Sequence, residues 1–135
     1  MTFEMDTDDQ PTHIIQTRMW MVNTEWMCNR HLEEEHVSIH VFVRSLKNKQ
    51  VIQGFIDRGL VEIHNLWARH EELVEEMIRR GIEHNTGMPW CSHLIKGGWI
   101  SQEISERDLM RECDVCRERY DFLAEQTEKL LTRDL

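Results

Sequence analysis

The sequence predicts an all-α fold, a compact single domain of three main helices. Two observations carry this. Apolar residues recur at steps of three and four along three long stretches, the period of a helix with one buried face. Glycines, prolines and capping residues separate those stretches, and none of them alternates apolar and polar residues as a half-buried strand does.

The first helix is expected from about Thr24 to Leu46, with Thr24 as its cap and Glu25 in the first turn. Cys28, Leu32, Ile39, Phe42, Val43 and Leu46 make its apolar stripe, which Glu35 interrupts. His31, Glu35, Ser38 and Phe42 follow the same spacing, so polar groups stand on or beside the buried face. A shorter amphipathic piece runs from Gln50 to Asp57 and stops at Gly59. The second main helix is expected from about Asn65 to Arg80. Leu66, His70, Leu73, Val74 and Met77 face inward, and Gly81 supplies a left-handed end. Arg79 and Arg80 suit the negative end of its dipole. Gly87, Pro89, Gly97 and Gly98 mark a loop from Glu83 to Ile100. The third main helix starts near Ser101 or Ser105 and reaches about Leu131, with Ser105 and Asp108 as a capping box. Leu109, Cys113, Cys116, Tyr120 and Leu123 form one continuous seam.

At 135 residues the chain can bury a core without metals or disulfides. Its net charge of -9 argues against a broad phosphate-binding face, because affinity for nucleic acid comes largely from basic side chains that release counterions. DNA would have to be met by local clustering, for which Arg18, Arg30, Arg44 and Lys47 are available. Residues 1–16 hold Glu4, Asp6, Asp8 and Asp9 and no Lys or Arg. They are expected to be a flexible acidic tail before a helical domain at 17–135. No apolar run approaches the ~20 residues of a membrane span, and no secretion leader opens the sequence. Four cysteines are too few for a disulfide framework. The expected setting is the cytoplasm, with free thiols and no membrane partner.

Three groups of residues invite a chemical reading. Cys113 and Cys116, with Cys91 and His93, could make a Cys3His zinc site. Against that, both helical cysteines lie on an inner seam where Cys acts as a small hydrophobe, and a redox pair is the third alternative. His31, Glu35, His36 and His40 could bind a metal, but no single helix face gathers three of them. Glu35, on an apolar stripe, must be paired, protonated or at a cleft, and His31 one turn earlier is its expected partner. Trp20, Trp26, Trp67, Trp90 and Trp99 are expected as core and loop anchors, since they do not cluster with basic residues.

Several segments together resemble the pyrimidine-dimer DNA glycosylases of the phage endonuclease V type. They are Thr17-Arg18-Met19-Trp20-Met21-Val22, Met27-Cys28-Asn29-Arg30-His31-Leu32 and the run from Glu35 to Phe42. Arg69 to Met77, Arg79-Arg80-Gly81 and Arg111 to Arg117 extend the resemblance, which covers about Thr17 to Tyr120. It implies a compact three-helix fold and a glycosylase/AP lyase acting on damaged double-stranded DNA. In that family an N-terminal α-amine attacks C1′ of the damaged nucleotide and forms an imine. A helix carboxylate assists, and a base is flipped out of the duplex.

By position, Thr17 corresponds to the nucleophile and Ser38 to the catalytic glutamate. Arg18, Arg30 and His31 correspond to DNA-contacting residues. Glu35, one turn before Ser38 and ~4 Å or more away along the helix, is the alternative carboxylate. No cofactor and no metal belongs to this expectation. Three departures stand out: Ser38 has no charge to shuttle, Gln16 turns the Thr17 nitrogen into an amide unless the chain is cut there, and the chain's acidity weakens affinity for DNA. The other expectation the sequence allows is a catalytically inactive relative that binds a basic protein partner through its acidic surface.

Overall fold

A computed structural model describes residues 16–84 and 96–132. Among the described residues there are five α-helices: α1 (Asn29–Ser45), α2 (Lys49–Asp57), α3 (Leu66–Arg79), α4 (Gln102–Glu112) and α5 (Asp114–Thr132). Short 3-10 turns precede α1 at Thr24–Trp26 and α3 at Ile63–Asn65. No strand occurs among the described residues, so the fold is all-α as the periodicity predicts. The expected tail before Gln16 and most of the expected loop, with Trp90, Cys91 and His93, lie outside the described residues.

Helix boundaries follow local chemistry. Asn23, not Thr24, caps the first 3-10 turn by accepting from Glu25 N at 2.9 Å, and Cys28 stands at the N-cap of α1. Asn48 caps α2 through two backbone N–H groups. Ser101 Oγ accepts from Ile104 N and starts α4. Ser105 is therefore not a cap; it is buried within α4 and its hydroxyl donates to the Trp20 carbonyl.

The expected third helix is two helices, because Cys113 takes an extended conformation (φ -128°, ψ 109°) between α4 and α5. A single-residue break hardly disturbs the four-three-four spacing, so periodicity alone does not reveal it. The predicted seam is buried from Leu109 through Cys116 and then leaves the core, with Tyr120 set edge-on against Trp26.

α1 packs mainly along α3. Leu32, Ile39 and Phe42 from α1 meet Leu66 and Leu73 from α3, all fully buried with Met19, Met27 and Val61. The segment 17–22 crosses this pair, held by Met19 N donating to Leu60 O at 2.8 Å. Arg80 ties the end of α3 to the first 3-10 turn through the carbonyls of Thr24 and Glu25. Gly98, with φ +88°, lies so close to Val61 that a Cβ would collide with its carbonyl oxygen. Only glycine lets residues 96–100 pass there, and Ile100 N reaches Glu62 Oε2 at 2.7 Å.

Candidate functional site

The residues singled out by the sequence converge on α1, which sorts them into four groups. The first side faces the crossing segment. The backbone N–H of Arg18 donates to Ser38 Oγ at 3.2 Å, and Ser38 Oγ lies 3.5 Å from the Gln16 carbonyl. Thr17, half-buried, stands between these two contacts. Arg18 runs inward: Nη2 donates to Ser105 Oγ at 3.1 Å and the guanidinium stacks 3.7 Å from the Trp20 ring centre. Burial lowers its pKa from the usual arginine value, opposed by Glu35, Glu112 and Asp108.

The second side holds Glu35, 1% exposed and gripped in a bidentate fork by Arg69 (2.7 and 3.0 Å). Arg69, itself buried, also reaches Glu72 Oε1 and Met27 Sδ. The partner of Glu35 is therefore Arg69 and not the expected His31, which points elsewhere. The fork supplies two parallel charge-assisted hydrogen bonds in place of water. Met21, whose φ of 56° is unusual for a side-chain-bearing residue, sets its N–H 3.5 Å from Glu35 Oε2.

His31 belongs to a third group, at the start of α1. Its Nδ1 lies 3.3 Å from Cys28 Sγ and 3.7 Å from Cys116 Sγ, and Cys28 Sγ lies 3.9 Å from Cys113 Sγ. All four residues are buried and all three thiols are free. Backbone N–H groups aim at the sulfurs: Cys28 N at Cys116 Sγ (3.2 Å) and Cys116 N at Cys113 Sγ (3.4 Å). The hydrogen bond from Cys116, assisted by His31, holds the Cys28 thiol below its usual range. The same bond pushes the Cys116 thiol up.

The fourth group, also where α1 meets α3, is His36 and His40, which meet His70 of α3 and His84 beyond it. One ring nitrogen from each lies within 4.8 Å of the others, and His84 Nε2 is 2.9 Å from His36 Nε2. Burial, then the neighbours His70, His40 and His84, lowers the His36 pKa to about 4. Burial likewise lowers that of His40.

Of the three residues expected to touch DNA, Arg18 and His31 are buried, and Arg30 is exposed beside Glu34 at 3.9 Å. Pairing histidines along α1 by spacing misses His70 and His84, because chain distant in sequence supplies them. The matched spacing of Cys28-x-x-His31 and Cys113-x-x-Cys116 is the signal in the sequence for the cysteine group.

A family model described as pyrimidine dimer DNA glycosylase matches residues 17–89. That stretch spans the crossing segment, α1, α2 and α3, and ends before α4 and α5. No curated protein and no solved structure matches the chain.

Proposed function

The chain belongs to the pyrimidine dimer DNA glycosylase family, and from that premise we propose that it cleaves the glycosidic bond at pyrimidine dimers in double-stranded DNA through the α-amine of Thr17. The observation that supports this most is the Arg18 N–H bond to Ser38 Oγ. It sets the residue bearing the nucleophilic nitrogen beside the helix position that corresponds to the family's carboxylate.

The chemistry requires a free amine. While Gln16 is attached, the Thr17 nitrogen is an amide whose lone pair is delocalised into the carbonyl, so it does not attack carbon. Cleavage after Gln16 leaves an α-amine with a pKa near ~8, partly neutral at neutral pH. That nitrogen bonds to C1′ as the base departs with the glycosidic electron pair and takes up one amine proton. The nitrogen lone pair then opens the C1′–O4′ ring bond, O4′ takes up a proton, and a protonated imine is left. Loss of a C2′ proton with departure of the 3′ phosphate then breaks the strand. Ser38 can hydrogen-bond to the sugar but cannot carry charge, so the step is slow beside one assisted by a carboxylate.

Phosphate contacts fit the stretch from residue 44 to 58. It carries Arg44, Lys47, Lys49 and Arg58, all exposed, against the single acid Asp57. This basic edge around the α1–α2 corner offsets the overall negative charge locally. With Arg30 it supplies the backbone-holding role in this reading.

The test is borohydride trapping on DNA bearing an abasic site, with the chain beginning at Thr17. A covalent adduct is expected that the chain retaining residues 1–16 does not give. Ser38→Glu and Ser38→Asp should each raise trapping at least ~10-fold. Absence of an adduct from all three Thr17-initiated proteins would overturn the amine mechanism.

A further inference from the structure

We propose that α1 is anchored by two metal ions, a zinc ion held by Cys28, His31, Cys113 and Cys116, and a second first-row transition-metal dication held by His36, His40, His70 and His84.

The cysteine site rests on geometry. Zinc takes Cys sulfur at about 2.3 Å and His nitrogen at about 2.0–2.1 Å in a tetrahedron, so its edges measure about 3.8 Å between sulfurs and about 3.6 Å between sulfur and nitrogen. The observed edges are 3.9 Å for Cys28–Cys113, and 3.3 and 3.7 Å from His31 Nδ1 to Cys28 and Cys116. Both ligand pairs have the same local construction. Cys28 stands immediately before α1 and His31 is its third residue; Cys113 stands immediately before α5 and Cys116 is its third residue. Two helix N-termini therefore point their partial positive charge at the sulfurs, which favours thiolates. The two backbone N–H groups on Cys116 and Cys113 sulfur act in the same direction. An apolar core has no use for a histidine at the centre of three thiols. The soft donor set selects zinc over harder ions.

The histidine site rests on a separate observation. His70 is 1% exposed, its Nδ1 lies 3.0 Å from Glu71 Oε2, and its Nε2 has no hydrogen-bond partner. His40 Nε2 is buried and likewise without one. Unmet buried nitrogens cost free energy unless something accepts their lone pairs. The Glu71 contact fixes His70 with its proton on Nδ1 and its lone pair on Nε2, the tautomer a metal requires, and a carboxylate behind a ligating imidazole is a recurrent arrangement at metal centres. Four imidazoles suit zinc, nickel, copper or iron.

The two sites do different things to the fold. The first joins the start of α1 to the α4–α5 break, which lies beyond the family-matched residues. The second joins the middle of α1 to α3 and to the chain after Gly81.

The experiment uses the full chain, purified without chelator, with bound metal measured by elemental mass spectrometry and then replaced by Co2+. Two equivalents of metal per chain are expected. Cobalt in the cysteine site gives a thiolate-to-cobalt charge-transfer band, and cobalt in the histidine site gives ligand-field bands only. Cys116→Ser should lose one equivalent and the charge-transfer band, while His31→Cys should keep both, because four thiolates still close a tetrahedron. His84→Gln, at a partly exposed position, should lose the other equivalent and leave the charge-transfer band intact. Helical protein that takes up Co2+ without a charge-transfer band would overturn the cysteine site. A single equivalent, unchanged in His84→Gln, would overturn the histidine site. Helical protein that binds no metal and no Co2+ would overturn both. If Cys116→Ser does not fold, cobalt titration of the unmodified chain decides the cysteine site by the same band.

Discussion

At the scale of single residues, the Glu35–Arg69 pair is the most consequential contact in the core. Two charges 3% exposed or less are stable there only together. Arg69→Met strands Glu35 and should cost ~3–5 kcal/mol in denaturant unfolding, whereas Glu35→Leu with Arg69→Met should recover most of that loss. The need for a partner is legible in the sequence, since a carboxylate on an apolar stripe must be answered. The partner's identity is not, because Arg69 lies 34 positions away on another helix and its register against α1 is set by packing. Two glycines give a second contrast. Gly81 (φ +78°) has open space around its missing Cβ, so Gly81→Ala should cost only backbone strain, ~1 kcal/mol. Gly98→Ala adds a collision with the Val61 carbonyl and should cost at least ~2 kcal/mol, read as a larger fall in Tm.

At the scale of elements, α1 is the hub. Ser38 faces the crossing segment, Glu35 faces α3, and His31 with Cys28 faces the α4–α5 break. The sequence places these groups around one helix, since 100° per residue is enough to do so. It does not say which neighbour each one meets. Spacing alone therefore pairs His31 with Glu35, whereas the reading that joins Cys113 and Cys116 to Cys91 and His93 falls on residues outside those described. The α1–α2 corner makes its own prediction. If Lys47 and Lys49 hold phosphates, Lys47→Glu with Lys49→Glu should weaken binding to DNA of any sequence. The slope of log K against log salt should shrink by about 1 for each phosphate no longer held. A slope equal to that of the unmodified chain would move the DNA to another face.

At the scale of the whole molecule, acidity, histidine content and family membership have to be reconciled. In the metal-free protein His36 is held at about 4 while the unfolded chain titrates near 6.5. The unfolded state then binds the extra proton between those values. Stability is full above pH ~6.5 and falls as the pH drops toward 4, by no more than about 3 kcal/mol at ~1.4 kcal/mol per pKa unit. Urea midpoints of chelator-treated protein across that range check the sign, and a midpoint that rises on acidification would contradict it. If the chain acts on DNA as proposed, its net charge of -9 opposes binding outside the basic edge, and activity is expected at low ionic strength, more readily once the acidic residues 1–16 are removed. The most direct measurement is nicking of ultraviolet-irradiated supercoiled plasmid by the chain beginning at Thr17. Strand breaks should rise with ultraviolet dose, be absent on unirradiated plasmid, and disappear when photolyase has first reversed the dimers. Equal nicking of irradiated and unirradiated plasmid, or none on either even with Ser38→Glu, would contradict the assignment of dimer-directed cleavage to this chain.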